Sequence, residues 1–424
     1  MKKVLFVCYG SGHVKMVVPV ARMLRERGLA EVQVLGLTTA AEVVRAAGLP
    51  LLQVKDFLRE GDERALAHGR RLREAMGPVA DALETEAYLG LSYAELEDAV
   101  GAKEAARRYG RDGRQAFLPQ RLLERILAEV RPDLVFATNS PRGERAAILA
   151  ARRLGVPAVC LVDLFAVDEV RWIGQPGYAD AVCVLNDAVR DFLIQSGRLP
   201  GEVHVTGNPA FDPLLDPAQA EAGAVLRQAQ GWEGRRVLLW AEQEEPAFHP
   251  FDGRPGDPGL PGRARQAVLD WVATQPDAVL CVRPRAGQNA PALPDSPQVR
   301  VTGQDWPLAP LLHAVDLVVT LTSTVGLEGH LAGARLVQVQ GSVFDEAMPL
   351  GRFGVADASV PMAGLSPALD RCSALGRRGR IVATSQSGVG SARPGPTLAP
   401  PADTGLGSTG PATPRVVDLV ARFL

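Results

Sequence analysis

Two strand-to-helix turns, one in each half of the chain, constrain the fold more than any other feature. The first, KVLFVCYGSGH at residues 3–13, is an apolar strand that enters a glycine-containing turn and then a helical pattern. The second, LVVTLTSTVGLE at residues 317–328, has the same order of strand, turn and helix. Such turns offer free backbone N–H groups and the positive end of a helix dipole, so they suit anions. The pair predicts a cleft between two α/β domains.

Length and composition indicate a globular protein of more than one domain. A chain of 424 residues is too long for one ordinary core, and its hydrophobic fraction of 46% is ample for packing. The net charge of −2 does not indicate the positive surface that nucleic-acid-binding proteins have. The apolar runs are only as long as strands, so we expect no membrane-spanning helix, and the first strand follows two lysines without a signal-peptide cleavage site.

The cysteines indicate a reducing compartment. Cys8, Cys160, Cys183, Cys281 and Cys372 are scattered along the chain, and neither a Cys-x-x-Cys pair nor a Cys/His cluster occurs. We therefore expect buried, reduced thiols in a cytoplasmic protein, rather than a disulfide framework or a zinc site.

Strand and helix patterns alternate in both halves, which predicts mostly parallel sheets covered on both faces. We predict a first domain at residues 1–207 and a second at residues 208–358. The predicted strands are residues 4–8, 31–35, 134–138, 158–162, 181–185, 203–206, 236–240, 278–283, 298–302, 317–321 and 335–339, and the predicted helices of the first half are residues 14–27, 40–47, 143–154 and 187–196.

Two segments depart from this alternation. An insert at about residues 55–120 is charged, alanine-rich and helical in pattern; an acceptor-side lid, a dimerisation arm and a merely solvated helical excursion all fit it. Residues 359–413 are rich in Gly, Pro, Ser, Thr and Ala, so we predict disorder there, arising from an insertion or from a locally shifted reading frame. Residues 414–424 regain an amphipathic pattern and are predicted to form a C-terminal helix.

Several motifs together resemble one superfamily. They are VTGNP at residues 205–209 with Asp212, the helix, strand, Ser-Thr-x-Gly-x-Glu turn and strand of residues 308–339, and Lys15, Met16 and Pro19 of the first helix. These motifs resemble the GT-B superfamily of nucleotide-sugar enzymes, and within it the non-hydrolysing UDP-N-acetylglucosamine 2-epimerases and related polysaccharide-biosynthesis glycosyltransferases. The resemblance covers roughly residues 1–355 and the last helix. It implies an α/β fold in which two Rossmann-like domains with mostly parallel sheets face each other across a cleft.

The chain departs from the epimerases at their catalytic positions. The first loop, GSGH at residues 10–13, instead resembles that of glycosyltransferases of peptidoglycan lipid synthesis and of a UDP-sugar hydrolase that uses the histidine. Asn139 stands where the epimerases have an acid. Residues 161–163 (LVD), which end in Asp163, replace the His-Val-Glu end of an epimerase strand, and residues 242–245 (EQEE) replace the epimerase His-Arg-Arg-Glu-Asn segment. The resemblance therefore carries over the scaffold without the epimerase catalytic set.

Candidate residues of the first domain follow its strands, where ligands of open α/β sheets bind. His13 is a candidate general base, because imidazole titrates near neutral pH, or it caps its helix or binds phosphate. Asp163 is a second candidate base, with Glu169 as its partner acid, or it caps a helix. Arg142 suits a phosphate or a sugar carboxylate. The further nucleotide-sugar-binding candidates are Gly10, Ser11, Gly12 and Asn139, and, through the resemblance, Gly207 and Asn208.

Candidate residues of the second domain surround its strand-to-helix turn. Ser323, Thr324, Val325 and Gly326 would offer hydroxyl and amide groups to a diphosphate. The resemblance implies that Glu328 holds ribose hydroxyls, although a carboxylate there also stabilises a helix start. It further places a phosphate-binding cation at Arg283 or Arg285, because a planar guanidinium suits diphosphate. No metal site and no cofactor are expected, since the chain has no Asp-x-Asp motif.

We expect an enzyme that acts on a UDP-amino sugar, and glycosyl transfer in cell-envelope or exopolysaccharide biosynthesis is the first hypothesis. Its partners would be the nucleotide-sugar and a sugar or lipid-linked acceptor, with a homodimer left open and no nucleic acid. The alternatives are UDP-N-acetylglucosamine 2-epimerisation or UDP-sugar hydrolysis, and a nucleotide-sugar-binding protein without catalysis. Fold resemblance alone does not decide among them.

Overall fold

The chain forms two compact units. The computed structural model describes residues 1–285, 287–288, 291–303, 306–378 and 410–424. Unit 1 comprises Met1–Ala210 and Pro411–Leu424, and unit 2 comprises Phe211–Gly410. The division lies close to the predicted one at residue 207. Within the described ranges, no helix is both long and apolar enough to cross a membrane.

Unit 1 contains a parallel sheet whose described strands have the order β3-β2-β1-β4-β5-β6-β7. Val4 to Cys8 are fully buried, as expected of a strand covered on both faces. The strands are β1 (Lys3–Cys8), β2 (Glu31–Gly36), β3 (Leu51–Leu52), β4 (Leu134–Thr138), β5 (Ala158–Leu161), β6 (Ala181–Val184) and β7 (Val203–Val205). The helices are α1 (Gly12–Glu26), α2 (Ala40–Ala46), α3 (Glu63–Glu74), α4 (Ala82–Val100), α5 (Ala102–Asp112), α6 (Gln120–Val130), α7 (Gly143–Leu154), α8 (Val170–Ile173) and α9 (Asp187–Gln195), with short 3-10 turns at Val54–Phe57, Gly113–Ala116 and Pro200–Glu202.

Unit 2 contains a second parallel sheet, of order β10-β9-β8-β11-β12-β13 among the described strands. Its core combines strand residues such as Trp240 and Val319 with helix residues such as Val268 and Leu369. The strands are β8 (Arg236–Ala241), β9 (Ala278–Arg283), β10 (Val299–Val301), β11 (Leu317–Thr320), β12 (Arg335–Val339) and β13 (Ala358–Val360). The helices are α10 (Pro217–Ala229), α11 (Leu260–Ala273), α12 (Leu308–Ala314), α13 (Thr324–Leu331) and α14 (Leu365–Ala374), with 3-10 turns at Pro209–Leu215 and Met362–Gly364.

Every predicted strand is present, with each end within one residue of its predicted position. The two strands that the sequence did not indicate are β3 and β13, both short and both at a sheet edge. A two- or three-residue strand is too short for a hydrophobic period to be visible. The predicted insert is helical: α3 and α4 pack so closely that a Cβ on Gly69 would lie 2.0 Å from the carbonyl oxygen of Glu86.

The segment predicted to be disordered from residue 359 onward begins too early. Residues 358–360 form β13, which pairs with β12, and α14 follows. Leu365, Ala368, Leu369 and Cys372 of α14 are buried at helical spacing. This periodicity was masked by a composition rich in small residues. Residues 379–409, to which the rest of that prediction refers, lie outside the described residues.

The chain returns to unit 1 through its last helix, α15 (Ala412–Val420), which is followed by a 3-10 turn at Ala421–Phe423. Val416, Val417 and Val420 are fully buried in the same core cluster as Val17 of α1. The predicted amphipathic helix at residues 414–424 is thereby confirmed, starting slightly earlier than expected. All five cysteines are buried, as predicted, and each is a free thiol in this structure.

Candidate functional site

Both sheets reverse their strand order at one point, and several of the candidate residues follow the strands beside it. In unit 1 the reversal lies between β1 and β4, and in unit 2 between β8 and β11. The helices that follow adjacent strands lie on opposite faces at such a switch point, which opens a crevice at the carboxyl ends of the strands. The structure therefore brings the predicted residues together in two groups, one in each unit.

The first loop of unit 1 has a strained, open backbone. Ser11, the N-cap of α1, has φ 61° and ψ −130°, and its side chain does not cap the helix. Side chains rarely tolerate this conformation, and such strain concentrates at functional sites. Among the described residues, none accepts a hydrogen bond from the backbone N–H groups of Ser11, Gly12 or His13. Gly10 is confined, since a Cβ there would lie 1.8 Å from Thr39 Oγ1.

A buried carboxyl group supports this loop from below. Glu144, in the first turn of α7, is completely buried, and its Oε1 accepts hydrogen bonds from the Tyr9 backbone N–H (2.8 Å) and Thr138 Oγ1 (3.2 Å). Burial raises the pKa of Glu144 to about 7, and the nearby His13 is the strongest influence that lowers it. Glu144 Oε2 and His13 Nδ1 are both buried without a hydrogen-bond partner among the described residues. An imidazole beside a buried carboxylate is an arrangement that general bases use.

A cavity of about 260 Å³ lies over this loop. Its walls come from the ends of β1, β2 and β4 and from the helical insert, which contributes Arg114. The guanidinium of Arg142 lies 4.6 Å from the centre of the Tyr9 ring. The cavity is lined by Tyr9, Gly10, Ser11, His13, Thr38, Thr39, Arg114, Ser140 and Arg142.

Hydrogen bonds link the segments that follow β4, β5 and β7, through Asn139, Asp163 and Asn208. Asn139 Nδ2 donates to Asp163 Oδ1 (2.9 Å), and the Asp163 N–H donates to Asn139 Oδ1 (3.0 Å). Asn208 Nδ2 donates to the Asp163 carbonyl oxygen (2.7 Å). Gly207 has φ 76°, and the adjacent Thr206 carbonyl accepts from Arg415 of α15. These side chains hold the framework of the site, and this engagement lowers their capacity to bind a ligand.

Glu169 lies after β5, at the N-cap of α8. Burial, and after it the charge of Asp163, raise its pKa to about 7. A carboxyl group whose pKa lies near neutral pH is suited to proton transfer. Asp163 Oδ1 is meanwhile held by Asn139 and the Leu164 N–H.

The turn of unit 2 is satisfied by its own hydrogen bonds. Ser323, the N-cap of α13, has φ −74° and ψ 139°, and its Oγ accepts from the Val325 N–H (3.2 Å). Gln243, which follows β8, has an Oε1 that accepts from Thr320 Oγ1 (3.1 Å), the Leu321 N–H (3.2 Å) and the Thr322 N–H (3.0 Å). The turn therefore offers a ligand the dipole of α13 and the exposed Thr324, rather than a row of free amides.

The two candidate arginines of unit 2 differ in their surroundings. Arg283 is half-buried, donates to the Trp306 carbonyl oxygen (3.1 Å) and senses the charge of Glu328, while burial lowers its pKa. Arg285 is exposed and pairs with Glu244 (2.9 Å). Gly326 packs against β11, because a Cβ there would lie 2.8 Å from Thr320 Cγ2. Of the two arginines, only Arg283 is influenced by the charge of Glu328, which lies in α13.

A second cavity, of about 370 Å³, opens where β8 and β9 end. It is lined by Glu242, Gln243, Glu244, Glu245, Pro258, Pro261, Arg265, Pro284, Gln288 and Pro291. Its carboxylates have internal partners, for example Glu242 with Arg265 (2.6 Å). Within the described ranges, no group of three or more His, Cys, Asp or Glu side chains could hold a metal ion.

Sequence reasoning gave no role to Thr39 or Arg114, and it did not connect Glu144 with His13. Thr39 and Glu144 each follow a strand within a few residues, so the position of polar side chains after buried strands was a usable signal. Arg114 lies in the insert, far along the chain from the loop that it approaches. No local pattern could have linked the two.

Solved structures of a glycotransferase, of MurG and of a UDP-GlcNAc 2-epimerase resemble this one. The glycotransferase of kitacinnamycin has a TM-score of 0.54 at 16% identity, with 100% of this chain and 99% of that chain covered. MurG of Acinetobacter baumannii has a TM-score of 0.52 at 15% identity, with both chains covered completely. The UDP-GlcNAc 2-epimerase of Neisseria meningitidis, solved bound to UDP-GlcNAc, has a TM-score of 0.50 at 12% identity over 87% of this chain and 91% of that chain.

The chain has a GT-B type fold. Two parallel sheets with helices, one in each Rossmann-like unit, agree with the architecture of these enzymes. No protein-family model and no curated protein matches the sequence. At such low identities the likeness establishes the fold and leaves the reaction to the residues of the site.

Proposed function

We propose that this protein is a nucleotide-sugar-dependent enzyme of cell-envelope or exopolysaccharide biosynthesis that transfers a glycosyl group from a UDP-amino sugar to an acceptor hydroxyl. The observation that carries the proposal is the pair of His13 and the buried Glu144 at the switch point of unit 1. The structural likeness to an epimerase solved with UDP-GlcNAc supports the choice of donor.

In the proposed reaction, His13 accepts the proton of the acceptor hydroxyl while the acceptor oxygen bonds to the anomeric carbon of the sugar. Glu144 orients the imidazole and stabilises the imidazolium that forms, because a buried carboxylate is most effective in a low dielectric. The bond from the anomeric carbon to the diphosphate breaks, and UDP leaves with the electron pair. Within unit 2, the dipole of α13 and the Arg283 guanidinium are of the sign that suits a diphosphate.

A second candidate is UDP-N-acetylglucosamine 2-epimerisation or UDP-sugar hydrolysis. One observation favours it: Glu169, whose pKa is raised to about 7, lies near the second carboxyl group of Asp163. Epimerisation needs groups that remove and return a proton at C2, and such a pair meets this chemical requirement. The third reading, a nucleotide-sugar binder without catalysis, makes no use of either acid.

The deciding experiment incubates the full chain with UDP-N-acetylglucosamine in the absence of an acceptor and follows the products by NMR, with UDP binding measured by calorimetry. We expect unchanged sugar and saturable UDP binding, followed by UDP release once a competent acceptor from a library of glycan acceptors is added. Formation of the 2-epimer or of free UDP without an acceptor would contradict the transferase proposal and favour the second candidate.

A binding protein without catalysis would give a different pattern. It would bind UDP-N-acetylglucosamine and release no UDP with any acceptor, and His13→Ala would leave its affinity unchanged. Absence of UDP binding altogether would contradict the choice of nucleotide.

A further inference from the structure

The cavity over the first loop of unit 1 carries an unbalanced positive charge. Two arginines, Arg114 and Arg142, contribute to its lining, and no aspartate or glutamate does. The whole chain, by contrast, has a net charge of −2. Positive groups that converge on a concave surface attract an anionic ligand and favour its binding.

Arg142 is held in place without a counter-ion. Its guanidinium lies over the Tyr9 ring, and its Nε is buried without a hydrogen-bond partner among the described residues. No described carboxylate lies within ion-pair distance of it. Buried polar groups normally have hydrogen-bond partners, so this unpaired donor is available to a ligand in the cavity.

Arg114 is the matching observation from the helical insert. The arginines just before it are neutralised locally: Arg107 and Arg108 pair with Glu104, and Arg111 pairs with Asp112. Arg114 has no ion pair among the described residues, although it is the one of these arginines that reaches the cavity. Arg114 thus brings to the cavity a charge that has no ion pair among the described residues.

The loop itself adds uncharged donors between the two arginines. The backbone N–H groups of Ser11, Gly12 and His13 have no acceptor among the described residues, and the first turn of α1 contains no acidic residue. Successive free amides of this kind form anion-binding concavities. Two guanidinium charges together with these donors match a dianion better than a single carboxylate.

We infer that Arg114 and Arg142 bind a phosphoryl group of the acceptor and thereby place its hydroxyl beside His13. This inference rests on the proposed function, because it concerns the second substrate of that reaction. It gives the insert a role in acceptor recognition, with Arg114 as a residue that selects for phosphorylated acceptors.

The inference is tested by calorimetric titration of inorganic pyrophosphate into the full chain, with UDP present at saturation to occupy the donor site. We expect Arg114→Ala and Arg142→Ala each to weaken pyrophosphate binding by about tenfold or more, because each removes a charge-assisted hydrogen bond. Arg107→Ala is the matched control and should leave the affinity unchanged. Arg114→Lys should recover part of the affinity, since lysine keeps the charge but not the planar fork.

Failure is distinguishable from failure of the proposed function. Pyrophosphate affinity that is unchanged in both Arg114→Ala and Arg142→Ala would overturn the inference even if UDP binds and transfer occurs. If UDP does not bind, the proposed function fails, but loss of pyrophosphate affinity confined to the Arg114 and Arg142 variants would still support an anion site. Equal affinity for malonate would overturn the assignment to a phosphoryl group. Arg114 is exposed, so its variants should fold.

Discussion

Two serines occupy equivalent places in the two units, yet their states are opposite. Ser11 and Ser323 are both the N-cap of the helix that follows a switch-point strand. Ser323 has an ordinary extended backbone and caps α13 with its hydroxyl. Ser11 has a positive φ and caps nothing, and the N–H groups around it have no described acceptor.

The two loops therefore differ in how far their own residues satisfy their hydrogen-bonding groups. The unit 2 turn is fixed by hydrogen bonds from its own residues, through the side chains of Ser323 and Gln243. The unit 1 loop keeps strain and unsatisfied donors next to His13 and the buried Glu144. Stored strain and open donors are features of sites that act on a ligand, and a well-capped turn is a feature of a scaffold.

The strongest test of the contrast between the two loops removes the imidazole of His13, the proposed general base. We expect His13→Ala to lower kcat by about 10²- to 10⁴-fold, the usual contribution of a general base, while the affinity for UDP stays unchanged. Glu144→Gln should lower kcat by a smaller factor, because the amide positions the imidazole but does not stabilise its charge. Steady-state kinetics and calorimetry measure both effects. If the His13→Ala variant kept the wild-type kcat, this result would contradict the proposal that His13 of unit 1 is the general base.

The second test uses the pH dependence of stability. The folded protein keeps the proton of Glu144 up to about pH 7, whereas the unfolded chain releases it near 4.5, so this group makes the protein less stable as pH rises between these values. Each pKa unit corresponds to about 1.4 kcal/mol, and Glu144→Gln should therefore raise the free energy of unfolding above pH 7 by up to about 3 kcal/mol. Urea denaturation across this pH range measures the change.

A matched control for that test lies in the helical insert. Glu84 of α4 is also buried, and burial raises its pKa to about 7. Glu84→Gln should change the pH dependence of stability in the same direction and leave kcat unchanged. If both variants lose activity equally, Glu144 has no special connection with His13.

The third test compares two neighbouring glycines of the unit 1 loop. A Cβ at Gly10 would collide with Thr39 Oγ1 at 1.8 Å, whereas a Cβ at Gly12 meets nothing within 4 Å. We expect Gly10→Ala to cost about 1–3 kcal/mol of stability through overpacking, and Gly12→Ala to change it by less than about 1 kcal/mol. Thermal denaturation should also show that Thr39→Ala restores part of the loss in Gly10→Ala. Equal costs at both positions would mean that the loop is not confined on one side.

The smallest expected effects come from the two serines themselves. Ser323→Ala should destabilise the protein by about 1 kcal/mol, because α13 loses its cap. Ser11→Gly should stabilise it by about 1 kcal/mol, since glycine adopts a positive φ without strain. Chemical denaturation resolves such differences. A destabilised Ser11→Gly variant would show that the serine side chain contributes to the loop, and it would weaken the contrast between the two turns.

The two strand-to-helix turns predicted from the sequence are present, and Ser323 and His13 lie at them. The binding and catalytic roles of these residues stay predictions. The roles of Asn139 and Asn208 were harder to predict, because a side-chain amide that binds a ligand and one that binds a neighbouring strand look alike in a sequence. Only the placement of both near Asp163 shows that their hydrogen bonds are used internally.

The sequence by itself determined the parallel α/β architecture of the two units. Buried strands and the turns after them are encoded locally, in runs of a few residues whose period is set by the backbone. Tertiary structure decided which distant groups meet. Glu144 lies under the loop of His13 because β1 and β4 are adjacent in the sheet, and Arg114 reaches the same cavity because the insert folds back over it. Burial then raises the pKa of Glu144, and neither effect is written in a local stretch of residues.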